Sequence, residues 1–476
     1  MKILHLSFEC YPIAKVGGLA DVVGALPKYQ SKLGTTSSVI MPYYDNAFTK
    51  KNKLNEIYKE EVSLDTNIYQ YTIYKVDSKK IGFDLFFVHI EGLLDRENVY
   101  GYEDDLYRFL SFQLATLNWI KTDAVDFDIL HCHDHHTSMV PFFINYCYDY
   151  KQLEDTPTIL TIHNAQYQGQ FSHDLMDLLP SFDFSNVGLL DWYGQINPLA
   201  TGIKCASRVN TVSPSYMDEL KHNANGLEGL LRSEENKCIG ILNGIDDVFW
   251  NPEKDKMLVK TYKVTNVVSG KKKNKIELCK KYGLDPELPL FGFIGRLVGE
   301  KSADLLPEAF KQSIKENQNI NIFLLGSGHQ HVEEELLGLK EELNGNFNVH
   351  IGYDEKLSHE VYAASDFLLM PSRVEPCGLN QMYSLRYGTI PIVRRTGGLK
   401  DTVIDIGDDG FGICHDQASV WDICYSINRA IQLYNETNTF RKIQKRIMKI
   451  DNSWTKSAQD YLNLYSSINL PQIHND

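Results

Sequence analysis

Two cations lie where the sequence predicts the end of a strand and the start of the next helix. Arg296 closes the apolar run from Leu290 to Ile294, and Lys301 follows five residues later. Ligands of open α/β sheets bind beyond the carboxyl ends of the strands, so both side chains are placed to meet an anion. A lone lysine is more often in a surface salt bridge, but the adjacent Gly295 turn favours a ligand. Together the two groups could neutralise a diphosphate as its bond to a sugar breaks.

Glu375 ends a second predicted strand, which runs from Phe367 to Met370. Its carboxylate could serve as a nucleophile, as a general base or as an acceptor for sugar hydroxyls, and the residues alone leave all three open. Cys377 invites a nucleophile interpretation as well, but no base partner can be assigned to it. The chemistry at this position is therefore predicted only as far as a functional carboxylate.

A short motif occurs twice, each time between a predicted strand and a predicted helix. The two copies, Lys15 to Val23 and Arg395 to Val403, share Gly-Gly-Leu, an aspartate and a valine. Paired glycines let a backbone approach a ligand closely, and the start of a helix presents N–H groups with a partial positive charge. Because the motif occurs twice, once in each half of the chain, we interpret the copies as two ligand-binding loops that face each other. The alternative is that their glycines only form ordinary turns.

A group of histidines around residue 133 resembles a metal site at first sight. The group contains His131, His133, His135 and His136, with Asp134 among them. Residues in and just after a strand are expected to point in different directions, and no second group of ligands follows at a metal-site spacing. We therefore predict that no metal is bound.

Short apolar runs alternate with helix-length amphipathic segments, which is typical of βα units and mostly parallel sheets. A lysine-rich stretch from Lys254 to Lys281 separates two series of such units, and a domain boundary is expected just before it. The segment from Glu60 to Ile90 alternates in a way that favours antiparallel strands inserted in the first domain. The predicted strands are Ile3 to Phe8, Ser38 to Met41, Asp128 to His131, Thr158 to Ile162, Arg208 to Val212, Cys238 to Leu242, Leu290 to Ile294, Asn319 to Leu325, Asn346 to Ile351, Phe367 to Met370 and Ile390 to Val393.

Composition narrows the class of protein. The chain has 476 residues, 43% of them hydrophobic, and a net charge of -14, which disfavours a nucleic-acid or anionic-membrane partner. No apolar run approaches the ~18 residues that a membrane span needs, and no signal peptide is apparent, so a cytoplasmic location is expected. The nine scattered cysteines are expected to be reduced and mostly buried.

The motifs taken together resemble the bacterial glycogen synthase and plant starch synthase family over nearly the whole chain. The matching segments, in order, are Lys15 to Val22, Thr161-Ile162-His163-Asn164, Thr211 to Pro214, Leu242-Asn243-Gly244-Ile245-Asp246, Gly295-Arg296-Leu297, Pro371 to Gln381 and Arg394 to Leu399.

The resemblance implies an α/β protein with the GT-B architecture, in which two Rossmann-like domains face each other across a deep cleft. It implies domains at residues 1–245 and 246–452, with a final helix at 453–476 that crosses back to the first domain. The implied activity is transfer of glucose from ADP-glucose to the non-reducing 4-hydroxyl of an α-1,4-glucan, with retention and without a metal or other cofactor. UDP-glucose as the donor, or a GT-B transferase with a small acceptor, remain the alternatives.

The resemblance also implies roles for individual residues. The implied catalytic residues are His163, Arg296, Lys301 and Glu375, with Glu375 in a positioning and electrostatic role. The implied donor-binding residues are Lys15, Gly17, Gly18, Asp21, Asn243, Tyr353, Cys377, Gly378, Thr396, Gly397 and Gly398. The implied acceptor residues are Tyr100, Asp134 and His136.

Two departures from the family pattern are visible. His135 stands where relatives commonly have Trp, which bears on how the acceptor is handled. Tyr383 stands where related retaining transferases carry a second Glu, which argues against a mechanism with two carboxylates.

Overall fold

The computed structural model describes residues 1–77, 81–122 and 126–468. The chain divides into two compact units, unit 1 with Met1–Asn243 and Trp454–Asp476, and unit 2 with Gly244–Ser453. Each unit is built around its own sheet, mostly parallel in unit 1 and fully parallel in unit 2, as the alternation of apolar runs and amphipathic segments predicts. None of the described helices is long and apolar enough to cross a membrane.

Unit 1 contains a nine-stranded sheet in the order β11-β10-β7-β6-β1-β2-β5-β4-β3, within the described residues. Its strands are β1 (Lys2–Leu6), β2 (Thr36–Pro42), β3 (Leu54–Leu64), β4 (Asn67–Val76), β5 (Asp84–His89), β6 (Ile129–His133), β7 (Thr158–Ile162), β10 (Arg208–Thr211) and β11 (Cys238–Gly240); β8 (Asp191–Trp192) and β9 (Gln195–Ile196) form a separate small pair. The helices are α1 (Gly18–Lys32), α2 (Ala47–Lys51), α3 (Asp105–Ile120), α4 (Val140–Tyr146), α5 (Pro198–Cys205), α6 (Pro214–Leu220) and α7 (Glu228–Ser233).

The inserted segment of unit 1 is antiparallel only in part. β3 pairs with β4 and β4 pairs with β5 in antiparallel register, as the alternating pattern predicts. β5, however, also pairs with β2 in parallel register. Its fully buried centre, Leu85 to Val88, lets it join the parallel core, and the hairpin extends the edge of the same sheet.

Unit 2 contains a six-stranded parallel sheet in the order β14-β13-β12-β15-β16-β17. Its strands are β12 (Leu290–Leu297), β13 (Asn321–Gly328), β14 (Phe347–Ile351), β15 (Phe367–Met370), β16 (Ile390–Arg394) and β17 (Ile413–His415). Its helices are α8 (Val267–Tyr282), α9 (Leu306–Glu316), α10 (Gln330–Glu342), α11 (Glu355–Ala364), α12 (Asn380–Arg386), α13 (Gly397–Thr402), α14 (Val420–Asn435) and α15 (Thr437–Ile447). The strands are apolar on both faces because helices cover both sides of such a sheet.

A last helix, α16 (Trp454–Ser466), follows unit 2 in the chain but packs on unit 1. Its apolar face, which includes Trp454, Ala458 and Tyr461, is buried against α1 residues such as Val22 and Leu26. The helix therefore completes the core of the first unit.

Lys271 on α8 holds the ends of two helices of unit 2 together. Its buried ammonium donates to the carbonyls of Tyr362 and Ala363 at the end of α11, and to the carbonyl of Tyr387 just after α12. It also donates to the Thr389 hydroxyl at 2.6 Å. Burial lowers the pKa of Lys271 to about 7. A cation at the carboxyl ends of helices complements their dipoles.

All nine cysteines are free thiols, and eight of them are buried. The expectation of reduced, mostly buried cysteines is confirmed. In the described part of the chain, burial raises the pKa of thiols such as Cys279, to about 11. Such groups are inert as nucleophiles near neutral pH.

Candidate active site

The centre of the unit 2 site is an ion pair between Lys301 and Glu375, beyond the ends of β12 and β15. The Lys301 ammonium donates to Oε1 of Glu375 at 2.7 Å and to Oε2 at 2.6 Å. The Ser372 hydroxyl donates to Oε2 at 2.8 Å. The two charged side chains are 21% and 10% exposed. Glu375 is therefore a neutralised, hydrogen-bonded carboxylate that retains a small open face.

A local turn explains why these two residues meet although they are 74 positions apart in the chain. Ser302 adopts a left-handed conformation (φ 56°) directly after Lys301, and its hydroxyl donates to the carbonyl of Pro371. The amides of Arg373 and Val374 both donate to the carbonyl of Glu300. These bonds fix the Lys301 turn against the loop that carries Glu375.

Arg296 is the exposed partner of this arrangement. It lies at the end of β12 with its side chain 68% exposed, and it donates to Glu300 at 3.1 Å. Such an exposed pair contributes little to stability, so the guanidinium is available to exchange Glu300 for an anion.

The second glycine loop packs against the Glu375 loop. Gly397 has a φ of 44°, and a Cβ there would lie 2.0 Å from the carbonyl oxygen of Glu375. A Cβ on Gly398 would lie 2.1 Å from the carbonyl oxygen of Cys377. The two glycines are required for this close approach of two backbones.

Two amides of that loop are already engaged. The Gly398 N–H donates to the Glu375 carbonyl at 3.1 Å, and the Thr396 N–H donates to the Arg394 carbonyl at 2.9 Å. These two N–H groups are therefore bonded within the protein, and the donor contact implied for this loop stays a prediction. The loop serves to hold the Glu375 backbone in place.

The other implied donor residues of unit 2 also follow strands of its sheet. Cys377 is buried, and its carbonyl accepts from the Gln381 side chain. Gly378 has a φ of 71° just before α12, a conformation that favours glycine. Tyr353 follows β14 with its side chain 85% exposed, so its ring is accessible for stacking.

The first glycine loop, in unit 1, is organised differently. A Cβ on Gly17 or Gly18 would meet nothing within 4 Å, so the space beside this loop is open. Lys15 pairs with Asp21, its ammonium lying 2.7 and 2.8 Å from the two carboxylate oxygens. The ligand interpretation of paired glycines fits this copy better than the second.

Glu9 is a buried carboxylate beside the first glycine loop that the sequence motifs did not single out. It is buried beyond the end of β1, where its Oε2 accepts the N–H groups of Val16 and Gly17 at 2.6 and 2.8 Å. Its Oε1 accepts the Tyr100 hydroxyl at 3.0 Å. The Gly17 N–H is therefore bonded within the protein, and the donor contact implied for this loop stays a prediction. A carboxylate directly after the first predicted strand was the signal that could have found it.

Asp134 shapes the loop that carries His163. It has a φ of 56°, and its Oδ1 accepts the N–H of His163 at 2.7 Å and that of Asn164 at 3.4 Å. Burial raises the pKa of Asp134 to about 7 and lowers the pKa of His163 to about 3. The backbone position of His163 is thus fixed by a buried carboxyl group.

The implied acceptor residues and Asn243 also belong to unit 1. The rings of Tyr100 and His136 stack at 4.7 Å with an angle of 12° between their planes. Asn243 is buried, and its Oδ1 has no hydrogen-bond partner within the described ranges. A buried acceptor without a partner is uncommon in proteins.

The histidine group differs from the prediction. His131 and His133 project from the same face of β6, and His5 on the adjacent β1 joins them. The expectation that the strand histidines point in different directions is wrong, because residues two apart in a strand share a face. One nitrogen from each of the three rings lies within 4.8 Å of the others.

Comparison with known proteins identifies the fold and the family. A family model described as the starch synthase catalytic domain matches residues 2–233, and one described as glycosyl transferases group 1 matches residues 274–446. The chain is 53% identical to the glycogen synthase of Flavobacterium johnsoniae, with 98% of this chain and 99% of that protein covered. It is 38% identical to the glycogen synthase of Thermosipho melanesiensis, with 98% of each covered.

Two solved structures are similar to this one. The catalytic domain of starch synthase IV from Arabidopsis thaliana, bound to ADP and acarbose, has a TM-score of 0.88 at 33% identity and covers 98% of this chain and 99% of its own. The sucrose-phosphate synthase of Thermosynechococcus elongatus has a TM-score of 0.60 at 16% identity, with 98% of each chain covered, which shows the fold alone.

The protein has two α/β units, each with parallel strands and with polar groups beyond the strand ends. Together with these matches, this architecture defines a glycosyltransferase of the GT-B type. The chain belongs to the bacterial glycogen synthase and plant starch synthase family. The predicted family resemblance, the α/β GT-B fold and the enzyme class are confirmed.

Proposed function

We propose that the protein transfers glucose from ADP-glucose to the non-reducing 4-hydroxyl of an α-1,4-glucan, with retention of configuration and without a metal ion. The observation that carries the choice of donor is the ADP bound to the starch synthase IV relative, which is 33% identical to this chain. ADP is the product that ADP-glucose leaves after transfer. The two strongly related bacterial proteins are glycogen synthases, which supports a glucan as the acceptor.

In this proposal Lys301 and Arg296 receive the charge that develops on the leaving diphosphate. The Lys301 ammonium has three N–H donors, and two of them are directed to Glu375, so one is left for a phosphate oxygen. Arg296 can turn from Glu300 to the same anion because it is exposed. Tyr353 stacks on the adenine.

Glu375 acts by charge and position. Lys301 donates to both carboxylate oxygens and Ser372 donates to Oε2, so three of the about four lone-pair sites are occupied, which weakens the carboxylate as a nucleophile. A carboxylate so held favours the positive charge that develops on the glucosyl ring in the transition state.

Without a protein nucleophile, the reaction proceeds on one face of the sugar. The bond from the anomeric carbon to the phosphate oxygen breaks, and the acceptor 4-oxygen forms a new bond to that carbon. The proton of the 4-hydroxyl goes to the departing diphosphate oxygen, which balances the step. His163 and Asn243 bind glucose hydroxyls, and Lys15 and Asp21 contribute to binding of the donor.

The test is release of nucleoside diphosphate from ADP-glucose and from UDP-glucose, each with and without glycogen. The proposal expects glycogen-dependent release from ADP-glucose. Release only from UDP-glucose would overturn the choice of donor, and release from neither would overturn the proposed reaction.

Substitution of Lys301 tests the site itself. Lys301→Ala should lower transfer about 10²-fold or more, because it removes one charge-stabilising donor. Lys311→Ala is the matched control, since Lys311 forms a surface ion pair of 2.7 Å with Glu342 in the same unit. Near-normal transfer by a folded Lys301→Ala enzyme would remove Lys301 from the mechanism.

A further inference from the structure

A chain of buried hydrogen bonds ends at His163. His163 Nε2 lies 3.0 Å from His133 Nδ1, His133 Nε2 lies 3.1 Å from His5 Nδ1, and His5 Nε2 lies 2.9 Å from Gln30 Oε1. His5, His133 and Gln30 are completely buried. These hydrogen bonds therefore connect His163 with Gln30 on the buried face of helix α1, and no water fits between the bonded groups.

Every ring nitrogen of His5, His131 and His133 has a hydrogen-bond partner within the protein. The nitrogens of His131 lie 2.7 Å from the Tyr465 hydroxyl and 2.6 Å from the Thr161 hydroxyl. A metal ion at this cluster would have to break these bonds. The cluster is better described as a hydrogen-bonded relay of neutral imidazoles.

Burial keeps the rings neutral. It lowers the pKa of His5 to about 4, and it lowers the pKa of His131 and His133 well below the ordinary value. A neutral imidazole has one N–H donor and one bare nitrogen that accepts. Fixing the proton on one ring of the relay therefore fixes it on the next.

The side-chain amide of Gln30 sets the direction in which the hydrogen bonds of the relay are donated. The Ser37 hydroxyl donates to Gln30 Oε1 at 2.7 Å, and Gln30 Nε2 donates to the Tyr465 hydroxyl at 2.9 Å. Oε1 is thus the atom that faces His5, so His5 carries its proton on Nε2 and accepts on Nδ1. His133 must then donate from Nε2, which leaves its Nδ1 to accept from Nε2 of His163.

A second branch gives the same direction independently. Thr161 donates its proton to Asn210 Oδ1 at 2.7 Å, so its oxygen must accept from Nε2 of His131. Nδ1 of His131 then accepts the Tyr465 proton, and the Tyr465 oxygen accepts from Gln30 Nε2. Both branches require the same orientation of the Gln30 amide.

We propose that Gln30, His5 and His133 are positioning residues that hold His163 with its proton on Nε2 and a bare Nδ1 open to a ligand. In the described residues, Nδ1 of His163 has no hydrogen-bond partner, while its backbone amide is anchored by Asp134. A bare nitrogen accepts from a hydroxyl and cannot donate to a phosphate oxygen. His163 is thereby specific for a sugar hydroxyl, a role that rests on the proposed function.

The tautomer can be measured on the free enzyme without any ligand. Nitrogen-15 NMR of histidine-labelled protein distinguishes the protonated from the bare ring nitrogen, and a His163→Gln variant assigns the His163 signals. The proposal expects a protonated Nε2 and a bare Nδ1 in His163, and the same in His133. A protonated Nδ1 in His163 would overturn it.

Two matched substitutions test the relay. His133→Phe replaces the histidine that contacts His163, and Cys132→Ala replaces its buried neighbour, which points to the opposite face of β6. In His133→Phe, the His163 signals should move toward a mixture of tautomers, and kcat/KM for the donor should fall about tenfold. Cys132→Ala should leave the His163 tautomer unchanged and kcat/KM within about twofold.

The outcomes separate this inference from the proposed function. An unchanged His163 tautomer in folded His133→Phe would overturn the relay, whatever the activity. A released tautomer with unchanged transfer would support the relay and overturn the sugar contact of His163. If the wild type transfers no glucose, the proposed function fails, and the NMR result still decides the relay.

Discussion

Gly398 is a position at which one added methyl group should be costly. A Cβ there would lie 2.1 Å from the carbonyl oxygen of Cys377 and 2.5 Å from its Cα. Real contacts of a Cβ do not fall below 3.0 Å, so the α13 backbone and the Glu375–Cys377 loop must move apart by about 1 Å. The Gly398 N–H bond to the Glu375 carbonyl would be stretched or lost.

The cost can be estimated from these contacts. Overpacking in a well-packed region costs about 1–3 kcal/mol, and one lost backbone hydrogen bond adds about 1 kcal/mol. We therefore expect Gly398→Ala to lower the free energy of unfolding of unit 2 by about 3 kcal/mol. For a unit of this size that corresponds to a fall of about 6–12 °C in its melting temperature.

Hydrogen exchange of peptides from unit 2, combined with calorimetry, measures this change. Gly338→Ala is the control in the same unit, since Gly338 is an exposed position in α10 with nothing within 4 Å of a Cβ. It should raise stability by up to about 1 kcal/mol. Gly18→Ala, at the corresponding position of the first loop, should also be tolerated by the fold. Equal melting of Gly398→Ala and Gly338→Ala would refute the packing argument.

Three further substitutions test single groups. Asp134→Asn removes a buried carboxyl whose pKa rises from 3.8 to about 7 on folding, so the stability of the wild type falls as the pH rises through that window. In urea unfolding, the free energy of unfolding of the variant should gain up to about 4 kcal/mol relative to the wild type between pH 4 and pH 8. Folding lowers the pKa of Lys271 from 10.5 to about 7, so the free energy of unfolding of the wild type rises with pH between those values. It should gain about 1.4 kcal/mol per pH unit relative to that of Lys271→Met. It should gain nothing relative to that of Lys272→Met, because Lys272 is exposed. Asn243→Ala should change the free energy of unfolding by less than about 1 kcal/mol, because its buried Oδ1 has no partner within the described ranges, but should raise the donor KM in steady-state assays.

Much of the fold could be predicted because strands of parallel sheets are buried on both faces. The apolar runs Thr158–Ile162 and Phe367–Met370 match β7 and β15 residue for residue. β17 was missed because three residues give no periodic signal, and its place in the sheet depends on pairing with β16. Local pattern also could not show that β5 pairs with β2 as well as with β4.

The site could be predicted by residue type but not by contact. Lys301 and Glu375 were found because each follows an apolar run, yet their pairing depends on the left-handed Ser302 turn, which the sequence does not reveal. Glu9 and His5 were missed because their partners are distant or are backbone amides. His5 contacts a residue 128 positions away, and no spacing rule connects the two.

The position of α16 has a consequence for how the chain is made. Unit 1 receives its last helix only after the ~210 residues of unit 2 have been synthesised, which takes roughly 10 to 40 s at ordinary ribosomal rates. During that interval the apolar surface of α1 around Val22 and Leu26 has no cover, and His131 lacks the hydroxyl of Tyr465. The nascent first unit therefore stays incomplete until α16 has been synthesised. A ribosome that stalls within unit 2 leaves a product with an exposed apolar face, which chaperones would bind.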